Sequence, residues 1–257
     1  MSEKKTALVT GASAGIGREF ARQLAPQCSQ MILVGRREER LRELAEELEV
    51  SGVRCTLLSV DLVEPAGVER VVKAIDEAGP LDYLVNNAGF TIIGAFETLP
   101  LSEQLTMCQT HINATLALTH AALPAMKAAG RGALINVSSM VTFSPYKDVA
   151  VYGGTKAFVT NFSGALQLEL EGTGVSVQCL VPGFTHTELH DRKAFEQYDT
   201  PEVPAELWME ACDVVSESLA GLADDLPLVV AGAVNKRAAI DALQNDLLAL
   251  QKALNPN

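Results

Sequence analysis

Tyr152 and Lys156 stand four residues apart in the run Tyr152-Gly153-Gly154-Thr155-Lys156. In a helix, positions i and i+4 share a face, so the phenol and the ammonium would reach into the same space. A free tyrosine ionises near pH 10, and a neighbouring ammonium favours the phenolate and draws that value towards neutrality. Such a pair can pass a proton to or from an oxygen. The bare pair would equally suit an ordinary amphipathic helix surface, so its surroundings have to decide. One surrounding element is Asn136-Val137-Ser138-Ser139-Met140, which places Ser139 thirteen residues before Tyr152.

A second constellation lies near the N-terminus, at Thr10-Gly11-Ala12-Ser13-Ala14-Gly15-Ile16-Gly17. It follows a short apolar run and opens an amphipathic stretch. Glycines there let the backbone turn tightly and approach a pyrophosphate, whose charge meets free N–H groups and the positive end of a helix dipole. The next apolar run ends Val34-Gly35-Arg36-Arg37. A carboxylate at that point would accept hydrogen bonds from the 2′-hydroxyl of NAD(H), whereas a 2′-phosphate needs cations. Arg36 and Arg37 therefore favour NADP(H) over NAD(H), with Ser13 as a further donor. Glu38 and Glu39 beside them also fit two arginines that are simply solvated at a helix start.

These groups must be held by a regular frame. Short apolar runs rich in β-branched residues, at 6–10, 31–34, 53–59, 83–86, 132–137, 175–181 and 228–230, alternate with helical periods at 15–25, 38–49, 64–78, 102–129 and 149–172. Strands that are apolar throughout and separated by helices predict a parallel sheet covered on both faces, wound by right-handed crossovers. The segment 186–226 reads as a mostly helical insertion carrying Trp208, and 235–254 as a C-terminal helix. No linker, repeat or composition break divides the chain, so 1–257 reads as a single α/β domain.

The sequence has 257 residues, 48% of them hydrophobic, and a net charge of −12. That charge disfavours nucleic acid and anionic membranes, which would repel it. The first apolar run is too short for a signal-peptide core or a membrane span. Five cysteines without CxxC spacing and four scattered histidines form no metal-ligand set. They read as reduced, mostly buried thiols, and the expected compartment is the cytoplasm.

The glycine spacing is GxxxGxG, and with the landmarks that follow it this sequence resembles the short-chain dehydrogenase/reductase family up to about Thr187. The resemblance implies a Rossmann-type domain with a doubly wound sheet of about seven strands and helices on both faces. It implies that Gly11, Ser13, Gly15, Ile16 and Gly17 hold the nucleotide, that Asp61 and Leu62 meet its adenine, and that Asn87-Ala88-Gly89 pass the adenosine ribose. Pro182-Gly183-Phe184-Thr185-His186-Thr187 resembles the family's PGxxxT element, which implies Pro182, Gly183, Thr185 and Thr187 at the nicotinamide. It further implies Asn113, Ser139, Tyr152 and Lys156 as a catalytic set. Tyr152 would give a proton to the substrate oxygen that Ser139 also binds, and Lys156 would hold the nicotinamide ribose. Asn113 would distort its helix and hold a water leading to solvent. Ser138 reads as structural, and YxGTK in place of YxASK keeps a hydroxyl at Thr155.

The substrate would be a small carbonyl or alcohol compound. Phe90, Ile92, Ile93, Met140, Phe143, Tyr146, Phe184 and the 186–226 insertion would line an apolar pocket suited to a hydrophobic ketone, aldehyde or acyl chain, with His186 and His190 near its mouth. A homodimer or homotetramer is expected, through the apolar helix 149–172. Because no DGG follows the strand at 228–230, the tetramer contacts stay open. A non-catalytic NADP-binding regulator would need the nucleotide loop but not the catalytic set. Epimerase and dehydratase relatives have larger C-terminal domains than this length allows.

Overall fold

The structure, a computed structural model, describes residues 5–188 and 203–254. Its main sheet has seven strands, β1 (Lys5–Thr10), β2 (Cys28–Gly35), β3 (Arg54–Ser59), β4 (Tyr83–Asn86), β5 (Gly132–Val137), β6 (Val175–Val181) and β9 (Leu228–Val230). They run in the order β3-β2-β1-β4-β5-β6-β9, and every neighbouring pair is parallel. The expected doubly wound Rossmann-type sheet is present. Its order reverses between β1 and β4, which opens a crevice at the carboxyl ends of those strands.

The inner strands are buried on both faces because helices cover both, whereas the edge strands β3 and β9 are partly exposed. Alternation along β1 shows how: Ala7 and Val9 point into one core, Leu8 into the other. The first core packs α1 (Gly15–Leu24), α2 (Glu38–Glu49) and α7 (Ala211–Ala223) through Phe20, Leu24, Leu41, Leu44, Val214 and Val215. The second packs α3 (Pro65–Ala78), α5 (Ala114–Ala129) and α6 (Ala150–Glu169) through Val71, Ile75, Leu118, Met126 and Leu166.

Three features differ from the sequence expectation. The helix expected over 102–129 is interrupted: α4 (Leu101–Cys108) runs into a π-helical turn, Gln109–Asn113, before α5 resumes. A wider turn inserts one residue into the helical period and re-aims the side chains on it. The described part of the 186–226 insertion is not wholly helical. Its β8 (Trp208–Glu210) pairs in parallel with β7 (Phe184–His186), which leads into it, before α7 begins. Trp208 holds that pair, stacked on His186 at 4.7 Å and tilted against Phe184 at 5.5 Å. His190 lies outside the described residues.

The third difference is in α8 (Ala233–Leu254), which buries only Asn235 and Ala239. Ile240, Leu243, Leu247, Leu250 and Leu254 recur at alternating three- and four-residue steps, and each is more than half exposed. No described helix is long and apolar enough to cross a membrane. All five cysteines are free thiols, but only Cys28 and Cys179 are buried and Cys212 is exposed, fewer buried than expected.

Candidate active site

The crevice at the switch point is a cavity of about 600 Å³. One wall is the glycine loop between β1 and α1. Ala14, at the N-cap of α1, provides no side-chain cap, and the first turn carries no acid. The first N–H groups of the helix are thus left for an anion, with the dipole behind them. Gly17 shows how tightly this loop is folded. A Cβ there would lie 2.4 Å from the Gly11 carbonyl oxygen and 2.4 Å from Asn87 Nδ2. Gly17→Ala is therefore expected to lower the melting temperature and abolish nucleotide binding; a thermal melt and a fluorescence titration with NADPH would check both.

The loop is tied to β4 by Thr10, for which the sequence pattern implied no role. Thr10 Oγ1 accepts from the amides of Asn87 (2.9 Å) and Ala88 (3.0 Å) and donates to Val85 O, while Asn87 Nδ2 donates to Thr10 O. Gly11, Ser13, Gly15, Ile16, Asn87, Ala88 and Gly89 line the cavity as expected, and Gly17 packs behind them.

At the adenine end the same cavity is lined by Arg36, Arg37, Asp61 and Leu62. Arg37 Nη2 lies 3.2 Å from Ser13 Oγ, and its Nη1 donates to Glu188 Oε2 at 2.6 Å. Arg36 Nη1 lies 3.7 Å from Asp61 Oδ2. Both cations are about half exposed and face the cavity, each beside an acid. Asp61 Oδ1 also accepts from the Val63 amide at 3.0 Å. Glu188 is a wall residue that sequence reading missed.

At the opposite end, β5, β6 and α6 bring together residues distant in sequence. Ser139, Tyr152, Lys156, Pro182, Gly183, Thr185 and Thr187 all line the cavity. Ser139 Oγ accepts from the Val141 amide at 3.4 Å and shares the cavity wall with Tyr152. Lys156 Nζ donates to Val137 O at 2.9 Å and lies 5.8 Å from the centre of the Tyr152 ring. Ser138 Oγ donates to Lys156 O at 2.9 Å, the structural position expected of it. Burial pushes the Tyr152 phenol up, with the Ser139 contact opposing, and burial brings the Lys156 ammonium down to about 8. Desolvation sets the direction, and the lowering expected from Lys156 is not among the causes of the shift. In this state Tyr152 keeps its proton at neutral pH and is fitted to donate it.

Asn113 is not brought to this centre. It is exposed, its Nδ2 donates to Gln109 Oε1 at 2.6 Å, and it does not line the cavity. The π-turn is the cause: it points Asn113 outward and His111 inward, where His111 is 2% exposed. Of the apolar residues expected around a substrate, Phe90 lines the cavity, whereas Ile92, Ile93, Met140, Phe143, Tyr146 and Phe184 do not. No cluster of metal-ligating side chains occurs among the described residues.

A doubly wound sheet with an open anion-binding helix start at its switch point, and a Ser–Tyr–Lys group facing it, defines a class of oxidoreductases that use a nicotinamide nucleotide. The profile of the family described as short chain dehydrogenase matches residues 5–197, and the chain belongs to that family. It is similar to sulfoacetaldehyde reductase 2 of Chromohalobacter salexigens, 40% identical over 184 residues, which are 70% of this chain and 73% of the relative. It is 37% identical over 185 residues to serine 3-dehydrogenase of Agrobacterium fabrum, covering 71% of this chain and 73% of that protein. Among solved structures, a short-chain dehydrogenase from Sphingobium yanoikuyae in complex with NADPH superposes with a TM-score of 0.82. The two are 32% identical, with 95% of each chain covered. The protein is an oxidoreductase acting on alcohol and carbonyl groups.

Proposed function

We propose that the protein transfers hydride between NADP(H) and the carbonyl or alcohol carbon of a small hydrophobic molecule, a ketone, aldehyde or acyl derivative. The observation that carries the reading is the single cavity wall on which Ser139, Tyr152 and Lys156 face the nucleotide loop. The nucleotide, when bound, supplies or takes up the hydride. Gly11, Gly15, Ile16 and the start of α1 hold its pyrophosphate, with Gly17 giving the loop its shape. Asp61 and Leu62 bound its adenine, Asn87, Ala88 and Gly89 its ribose, and Pro182, Gly183, Thr185 and Thr187 its nicotinamide end. Arg36, Arg37 and Ser13 receive the 2′-phosphate.

In carbonyl reduction the Tyr152 hydroxyl gives its proton to the developing alkoxide, which the Ser139 hydroxyl also stabilises. Lys156 binds the nicotinamide ribose and keeps a positive charge near the phenol, which eases its ionisation as the proton leaves. Oxidation of an alcohol runs the same transfers backwards.

Phe90 on the wall supports an apolar substrate. A second reading, a small polar aldehyde or hydroxy acid, is favoured by the names of the two relatives above. Purified protein mixed with NADPH and a panel of carbonyl compounds, including sulfoacetaldehyde as a polar member, is expected to oxidise the reduced nucleotide with hydrophobic ketones or aldehydes. Turnover confined to the polar members would favour the second reading, and none with any carbonyl or alcohol would favour a non-catalytic regulator.

The same proposal takes the chain as one domain acting in the cytoplasm as a homodimer or homotetramer. On α6, Phe158 and Phe162 stack at 5.8 Å and are only half-buried in one chain, and Leu168 is 69% exposed. The α8 stripe has the three–four spacing of a two-helix seam, so a second copy of α8 would cover it. Leu247→Glu is expected to shift the sedimentation coefficient towards that of a smaller species. An unchanged coefficient would remove α8 from the interface.

A further inference from the structure

His111 sits on the π-turn two residues before Asn113, the asparagine that the family resemblance puts in the catalytic set, and two hydrogen bonds hold its ring. The Phe90 amide donates to Nε2 at 3.0 Å. Nδ1 lies 2.8 Å from Thr155 Oγ1, and Thr155 Oγ1 donates to the Tyr152 carbonyl at 2.8 Å. An amide can only donate, so Nε2 carries a lone pair and the ring proton is on Nδ1. That proton goes to Thr155, whose own hydrogen goes on to Tyr152. One orientation of the chain satisfies every donor.

The ring is also packed into the reacting centre. It stands edge-on to Tyr152 and to Phe90, with centroids 5.9 Å away in each case. Gly89 lies between it and Lys156: a Cβ on Gly89 would fall 2.8 Å from His111 Nε2 and 3.6 Å from Lys156 Nζ. A second proton on the imidazole would break the Phe90 contact and bury a cation beside the Lys156 ammonium. Burial and the Lys156 charge accordingly hold the His111 pKa well below its ordinary value.

We propose that His111, fixed as the neutral Nδ1–H tautomer between the Phe90 amide and the Thr155 hydroxyl, is a positioning residue that sets the Tyr152 end of α6 against the nucleotide loop after β4. It joins two walls of the cavity that the sheet alone leaves unlinked on this side. Its role is geometric: both ring nitrogens are occupied, so it neither gives nor takes a proton in the reaction. The hydroxyl that the threonine in YxGTK keeps is then the acceptor His111 needs. The proposal rests on the reading of Tyr152 as the proton donor.

The test begins with a measurement that needs no substrate. Nitrogen-15 NMR of the imidazoles near neutral pH is expected to show His111 as the Nδ1–H tautomer, and Thr155→Val to shift that tautomer balance. An Nε2–H tautomer would overturn the proposal. In turnover, Thr155→Val should lower kcat about ten- to a hundredfold, as small misplacements at a reacting centre do, with the dissociation constant for NADPH within about twofold. Thr155→Ser, which keeps the hydroxyl, should restore kcat. His111→Leu combined with Thr155→Val should lose no more than the worse single variant, because both break one chain. Additive losses, or a Thr155→Val enzyme with unchanged kcat, would sink the idea, and so would a Thr155→Ser enzyme as slow as the valine variant. Failure of the underlying reading looks different: Tyr152→Phe would retain turnover while the tautomer and its response to Thr155→Val stood unchanged.

Discussion

Tyr152→Phe is expected to bind NADPH as tightly as the unaltered protein and to turn over about a hundred to ten thousand times more slowly, the range typical of a lost general acid. The substitution deletes one oxygen from a residue on the cavity wall and leaves the ring in place. The ring's edge contact with His111, the Thr155 bond to the Tyr152 carbonyl and the Lys156 bond to Val137 O are untouched. The fold and the nucleotide loop are therefore preserved, and only the proton is missing. Ser139 would still be free to bind the substrate oxygen, because its bond from the Val141 amide is untouched. Fluorescence titration with NADPH, set beside steady-state rates, separates the two effects. Unchanged turnover would remove Tyr152 from the chemistry; lost binding would mean that its hydroxyl serves the nucleotide instead.

The alkaline side of the reduction rate carries a related sign. Lys156 is brought down to about 8 by burial, so the free protein loses that positive charge as the pH rises through this value. With the ammonium gone, a departing proton leaves a phenolate with no cation beside it, and kcat/KM for reduction should fall above about pH 8. A profile flat well beyond that point would show that Lys156 is not needed in its charged form.

Removing the cations at Arg36 and Arg37 has the second-largest expected effect, and it is selective. Hydrogen bonds to charged groups contribute about 1.5–3 kcal/mol each, so Arg37→Gln should raise KM for NADPH about ten- to a hundredfold. NADH has no 2′-phosphate and should be used as before. The fold should not suffer, because the Arg37–Glu188 pair is about half exposed on both sides and such pairs contribute about 0–1 kcal/mol. Glu188 adds a second arm. It occupies Arg37 Nη1 at 2.6 Å where a 2′-phosphate would compete for the same donor. Glu188→Gln should tighten NADPH and leave NADH unchanged. Equal loss with both nucleotides in the Arg37 variant would end the phosphate-binding role.

The sequence by itself was enough for the sheet and the shape of the nucleotide loop, whereas Ser139, Tyr152 and Lys156 were joined as a set only by the order of landmarks that resembles the family. The sheet and the loop depend on local patterns: strands apolar throughout and glycines at a strand–helix turn. Each is set by neighbours close in the chain. Order along the sequence then placed the elements, because crossovers of one hand leave few topologies open.

What only the tertiary structure decided depends on a single inserted residue in a helix. Periodicity gives 102–129 as one uninterrupted helix, since an i→i+5 turn leaves no mark in composition. Yet that turn swaps the faces of Asn113 and His111, and with them the residue that touches the reacting centre. A histidine at a helical position had no local reason to be read as a contact of Phe90 and Thr155, which lie 21 and 44 residues away along the chain. The protonation of Tyr152 was decided in the same way. Spacing to Lys156 argues for a lowered phenol, but burial by elements far apart in sequence sets the opposite direction. Desolvation depends on everything that packs around a group, and that quantity exists only once the chain has folded.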